Sequence, residues 1–170
     1  MHKKDWIKMK RRSILGIVLL WTPFTILMNT GCDSQVLGAP DSGRTVKRVI
    51  TASDAPAAIG PYSQAIEVNG TLYISGQIAI DPSTGKMISG GIAEQTEQVM
   101  KNIGAILREA GYGYEHIVRS TCLLSDIADF SDMNEVYGRY FREGPPARAT
   151  FAVKGLPLEA LIEIETVAVK

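Results

Sequence analysis

Asn69-Gly70 is the feature that most narrows what this chain can become. Extended, alternating stretches flank it at 62–68 and 71–80, and an Asn-Gly pair between such stretches favours a two-residue turn with both residues at positive φ. An antiparallel hairpin is therefore predicted, and a sheet must be built outward from it. Downstream, Ile92, Thr96, Val99, Ile103, Ile106 and Ala110 recur at helical spacing, with Gly111 placed to close the helix. A strand is predicted over 117–125. A second helix follows, capped by Asp129 and presenting Phe130, Met133, Tyr137 and Tyr140 or Phe141 on one face. Short strands at 46–51, 148–154 and 161–169 complete the order, the last two joined by a Gly155-Leu156-Pro157 turn. Strand, hairpin, helix, strand, helix, strand, strand describes a two-layer α+β domain with both helices on one face of the sheet.

Side-chain alternation then sorts the sheet's faces. Leu72, Ile74, Ile78 and Ile80, Phe151 with Val153, and Ile162 with Ile164 are expected under the helices. The opposite face is expected to hold Tyr73, Ser75, Gln77, Thr121 or Ser120, Arg148, Thr150, Glu163, Glu165, Val167 and Val169. Two helices cannot cover both sides of such a sheet. The mixture of polar and apolar groups on the second face therefore predicts a homo-oligomer with ionisable residues near the subunit boundary.

Ahead of the domain, the first 31 residues hold six Lys/Arg and one acidic residue, with an apolar run over 13–28 and Thr30-Gly31-Cys32 after it. This is the layout of an export signal ending in a lipobox-like cysteine, with Asn29 where such motifs usually have leucine. The expected organisation is a signal-like leader over 1–31, a flexible tether over 32–45 and one domain over 46–170. Cys32 is the candidate lipidation site, so an exported, membrane-anchored lipoprotein is expected, with an uncleaved signal anchor and ordinary secretion the other readings of the same leader. Translation from a downstream start such as Met28 would instead leave it in the cytoplasm.

Beyond residue 31 the chain has 12 basic and 17 acidic residues, a charge of −5, which argues against a nucleic-acid partner. His116 is the one histidine outside the leader, too little for a metal site. Gly111-Tyr112-Gly113 follows a helix and lacks the third glycine of a dinucleotide loop. No cofactor is indicated. Cys122, on a strand, reads as a small core residue.

The stretch richest in chemistry is Pro145-Pro146-Ala147-Arg148-Ala149-Thr150. Two prolines force an extended entry, and the arginine that follows is a fork-shaped cation suited to a carboxylate or phosphate. With three further blocks, Ala57-Ala58-Ile59-Gly60-Pro61-Tyr62-Ser63-Gln64-Ala65, Ser75-Gly76-Gln77-Ile78 and Ile162-Glu163-Ile164-Glu165, it resembles the Rid family, the reactive-intermediate enamine/imine deaminases. The resemblance implies a chorismate-mutase-like fold and a trimer with three sites in the clefts between subunits. It also implies hydrolysis of 2-imino and 2-enamino acids such as 2-aminoacrylate to 2-oxo acids and ammonia.

By the same resemblance Arg148 binds the substrate carboxylate and Glu163 orients the water as general acid/base, while Thr150, standing where well-known bacterial members have cysteine, receives the imine nitrogen with its hydroxyl and nearby backbone groups. Tyr62, Ser75, Gly76 and Asn134 border the cleft. A non-catalytic binder of small 2-oxo or 2-imino carboxylates, or an interaction module, is the alternative reading. RNA cleavage and chaperone-like holding, reported for relatives, form a third class, of which the body charge disfavours RNA cleavage.

Overall fold

The computed structural model describes residues 46–141 and 143–170. The readings placed on the leader, the tether and Cys32 lie outside these residues.

Six strands form a mixed sheet in the order β1 (Arg48–Ile50), β2 (Ala65–Val68), β3 (Thr71–Gln77), β8 (Ile162–Val169), β6 (Ile117–Leu124) and β7 (Ala147–Ala152). All neighbours are antiparallel except β6 and β7, which run parallel and are joined through α2 (Phe130–Gly138). A parallel pair requires a crossover of this kind. The hairpin forms as predicted, with Asn69 at φ 50° and Gly70 at φ 73°. The long helix α1 (Ile92–Ala110) ends at Gly111, whose φ of 82° lets its N–H reach Arg108 O at 3.0 Å and Tyr112 N reach Leu107 O at 2.8 Å.

The core lies between the sheet and the helices. Leu72, Ile162 and Ile164 of the sheet meet Val99, Met100, Ile103 and Ile106 of α1 and Met133 of α2, all fully buried. Cys122 belongs to this core, and burial pushes its thiol up to about 11.

Several expectations are corrected. The return strand ends at Gln77 rather than Ile80, and Ile80–Asp81 instead pairs with Lys86–Met87 as a separate ribbon, β4 and β5. Near its end β3 bulges: Ile74 pairs with Thr166 and Gln77 with Ile164, so Ser75 and Gly76 together oppose Glu165. The extra residue reverses the alternation beyond it, and Gln77 is buried in the row of Ile164 instead of facing outward. Asp129 makes no side-chain cap; Asp126 Oδ1 accepts from Ala128 N at 2.9 Å and caps the short turn before α2.

The largest correction concerns β7. Ser120 registers with both Arg148 and Thr166, and Cys122 with both Thr150 and Ile164. Arg148 and Thr150 therefore lie on the helix-covered face. Phe151 falls in the row of Leu123 and Glu163 and is 55% exposed. The expected order of faces is inverted because β7 is an edge strand whose neighbour is set by parallel pairing. Its outward phenylalanine imitates a core position. Of Thr121 and Ser120, the residue on the open face is Thr121, since Ser120 is buried under α2.

Candidate active site

The residues singled out by sequence form two groups. The first surrounds Arg148. Its Nη2 donates to Asn134 Oδ1 at 2.6 Å, and its guanidinium carbon stands 4.8 Å from the ring centroid of Tyr137 and 5.7 Å from that of Phe130. Tyr137 is itself fixed, donating its hydroxyl to buried Ser120 Oγ at 2.9 Å, and burial pushes its pKa up to about 12. One helical turn thus supplies a hydrogen bond and an aromatic face that aim the cation. The ion pairs among the described residues do not involve Arg148, so its charge is available to an anion. The groove in front of it has a volume of ≈ 510 Å³.

Thr150 contributes less side chain than expected. Its Oγ1 is buried in the register row of Cys122 and has no hydrogen-bond partner among the described residues. Its backbone has a different outlook. Val153 N bonds to Leu124 O at 2.9 Å, so alternation turns the N–H and C=O of Ala149, Phe151 and Val153 toward β6. Those of Arg148, Thr150 and Ala152 then face the free edge.

The second group surrounds Glu163. Its carboxylate lies over Gly76, where a Cβ would collide with Oε1 and stand 2.8 Å from Cδ. No larger residue fits beneath the carboxylate in this position. Burial is the main cause that raises the pKa of Glu163 above the usual carboxylate range, and the charge of Glu165 on the same face adds to it. Tyr62 and Gly76 line a narrow cleft beside the 56–59 segment, and Tyr62 accepts from Ile59 N at 3.3 Å. Ser75 Oγ donates to Ser63 O at 2.7 Å and ties the bulge to the loop carrying Tyr62.

Four positions carry roles that the sequence pattern alone does not display. Tyr137 and Phe130 belong to the one apolar face expected of the second helix; only their placement beside Arg148 reveals a second role. Asn102, a polar residue among the apolar positions of α1, donates to Ile78 O at 3.1 Å and Ile80 O at 2.9 Å, fixing the chain just after the bulge. Gln64 likewise holds the loop ahead of Tyr62, accepting from Ala52 N at 2.7 Å and donating to Pro56 O at 2.7 Å. Its place in the Gly-Pro-Tyr-Ser-Gln block was the available signal.

The register thus separates the two groups: Arg148 on the helix side of the sheet, Glu163 on the other. Comparison with known proteins gives this arrangement a family. The family model described as Endoribonuclease L-PSP matches residues 52–170. The chain belongs to this family. Among its relatives is the human 2-iminobutanoate/2-iminopropanoate deaminase, 51% identical over 125 residues that cover 74% of this chain and 91% of the relative. Reactive Intermediate Deaminase A, chloroplastic, from Arabidopsis thaliana is 48% identical over 122 residues, 72% of this chain and 65% of that protein. A solved structure from Yersinia pestis, a member of the conserved Rid protein family, superposes with a TM-score of 0.72 at 48% identity, covering 74% of this chain and 100% of that one. The α+β fold, with a six-stranded mixed sheet and two helices, is that of the Rid proteins.

Proposed function

We propose that this chain is a hydrolytic deaminase of reactive 2-imino and 2-enamino acids, acting as a homotrimer whose sites lie between subunits. The observation that carries the reading is Arg148, a guanidinium aimed by Asn134 and Tyr137 from the edge strand into an open groove. A carboxylate beside an imine carbon is a suitable guest for that fork, and the deaminase relatives named above carry their activity at about half identity. The separation of the Glu163 group onto the other face supports a shared site, in which one subunit brings Arg148 and its neighbour brings Glu163.

In this reading the substrate is R–C(=NH)–COO⁻, formed from the enamine by tautomerisation. Arg148 binds the carboxylate and fixes the imine carbon, so the gain comes from positioning rather than covalent catalysis. The Thr150 backbone at the free edge of β7 receives the imine nitrogen, while its hydroxyl stays inside the subunit. Glu163 takes a proton from water as the oxygen attacks carbon, then returns it to nitrogen. Collapse of the carbinolamine releases NH₃ and leaves R–C(=O)–COO⁻. A carboxylate with a raised pKa suits both transfers, because it is a stronger base toward water than an ordinary carboxylate and its proton affinity lies closer to the working pH, where accepting and returning a proton are both accessible. Tyr62, Ser75 and Gly76 form the wall under Glu163.

The test is 2-oxo acid release above the spontaneous rate from enzymatically generated 2-aminoacrylate. Arg148→Ala is expected to lose one to two decades in kcat/KM, from about 1.5 to 3 kcal/mol for a charge-assisted hydrogen bond. Acceleration unaffected by Arg148→Ala or Glu163→Ala would remove this mechanism. A folded protein that binds 2-oxo acids without accelerating hydrolysis would be the non-catalytic binder instead. Export and lipid anchoring through Cys32 rest on the leader pattern. They predict membrane recovery of the protein that Cys32→Ser abolishes.

A further inference from the structure

The groove in front of Arg148 extends beyond what a carboxylate and an imine carbon occupy. Its polar end is Arg148 with Asn134; the remainder is walled by Tyr137, Phe141, Pro145 and Pro146, with Gly138 between them. Among the described residues this remainder carries no charged side chain. The hydroxyl of Tyr137 is committed to Ser120, and its ring lies 4.7 Å from that of Phe141, so the two form one apolar wall. At Gly138 an added Cβ would meet nothing within 4 Å, and the residue is not among those with positive φ. The opening there is thus a vacancy of side chain on an ordinary helical backbone. Neither turn geometry nor close packing of neighbouring atoms explains it.

Resting on the deaminase reading, we infer that this apolar end is a side-chain subsite kept open by Gly138. It directs the enzyme toward 2-imino acids with bulky apolar side chains, branched aliphatic or aromatic, over three-carbon ones. A carboxylate on Arg148 presents its α-substituent along the groove. Burying that substituent against Phe141 and the prolines gains contact that a methyl group cannot make. Gly138 is then the specificity-determining position, since any side chain there projects into the space the substituent needs.

The test compares full-length wild type with Gly138→Ala and Gly138→Leu, substitutions that raise helix propensity and leave the fold in place. Imino acids are generated in situ by an amino acid oxidase from alanine, leucine and phenylalanine, and kcat/KM is measured for each. The ratio of the leucine- or phenylalanine-derived value to the alanine-derived value is expected to exceed one in wild type. It should fall about tenfold in Gly138→Leu, with Gly138→Ala between them.

Calorimetric binding of 4-methyl-2-oxopentanoate against pyruvate gives a second readout that needs no turnover, and the same tenfold loss of preference is expected there. A wild-type ratio below one, or equal ratios in all three proteins by both measurements, overturns the subsite. Binding preference that shifts as expected, in a protein that hydrolyses none of the three imino acids, overturns the deaminase reading and upholds the subsite.

Discussion

Arg148 owes its usefulness to its neighbours. An exposed arginine samples many rotamers, and here one hydrogen bond to Asn134 and the ring of Tyr137 restrict it. Cation–π contact contributes about 0.5 to 2 kcal/mol according to exposure. Tyr137→Leu is therefore expected to raise KM about 2- to 30-fold with circular dichroism unchanged in shape. Tyr137→Phe, which keeps the ring and loses only the bond to Ser120, should fall well short of that. Glu163 supplies a pH prediction. Its raised pKa means that the folded state holds the proton more tightly than the unfolded one, so its contribution to stability is fully present below the unfolded pKa and is lost as pH rises through the folded value. Glu163→Gln should consequently raise Tm at neutral pH while abolishing activity. In wild type, activity falls as pH drops through the raised pKa of Glu163. The acid limb of kcat/KM should lie above the ordinary glutamate range and move down in Glu165→Gln, which removes the second cause of the shift. At this scale the sequence displayed Arg148 and Glu163 through their motifs. Tyr137 was hidden, because an aromatic at helical spacing looks the same whether it fills a core or supports a cation.

Among the elements, β3 is the one that alternation misread most instructively. The hairpin and both helices were legible because Asn-Gly turns, 3.6-residue periodicity and a left-handed glycine each have local causes. A bulge is a relation between two strands, and nothing in Ser75-Gly76-Gln77 alone states which partner residue they share. The consequence for the site is specific. Gly76 lies under the Glu163 carboxylate, and the atoms that an added methyl group would strike belong to that flexible side chain. Gly76→Ala should therefore displace the carboxylate rather than unfold the sheet. At least a tenfold fall in kcat is expected, with Tm within a few degrees of wild type and 2-oxo acid binding to Arg148 retained. The inverted face of β7 has the same origin: parallel pairing with β6 fixed its register, and an exposed phenylalanine on an edge strand is indistinguishable in sequence from a buried one.

At the scale of the whole molecule, the described residues leave apolar side chains uncovered on the sheet face away from the helices. Tyr73 is 51% exposed, Phe151 55% and Val169 42%. The expectation of a partner-covered second face came from counting helices against faces, and it did not depend on assigning each strand correctly. Sedimentation of the wild-type protein is expected to give three times the mass of the chain. Phe151→Glu, a charge placed in the row of Leu123 and Glu163, should shift the population toward single subunits and lower kcat/KM together with mass. Strand β7 links the proposed assembly to solubility. Its outer side has no neighbour in the six-strand order, and it carries Arg148 among its first residues. The proposed substrate clamp and the unpaired edge are thus one strip of chain, and an unpaired edge is a template for any other strand. A substitution that frees subunits is then expected to show up in a cell first as inclusion bodies and only second as lost turnover, with the aggregates seeded from the active site itself.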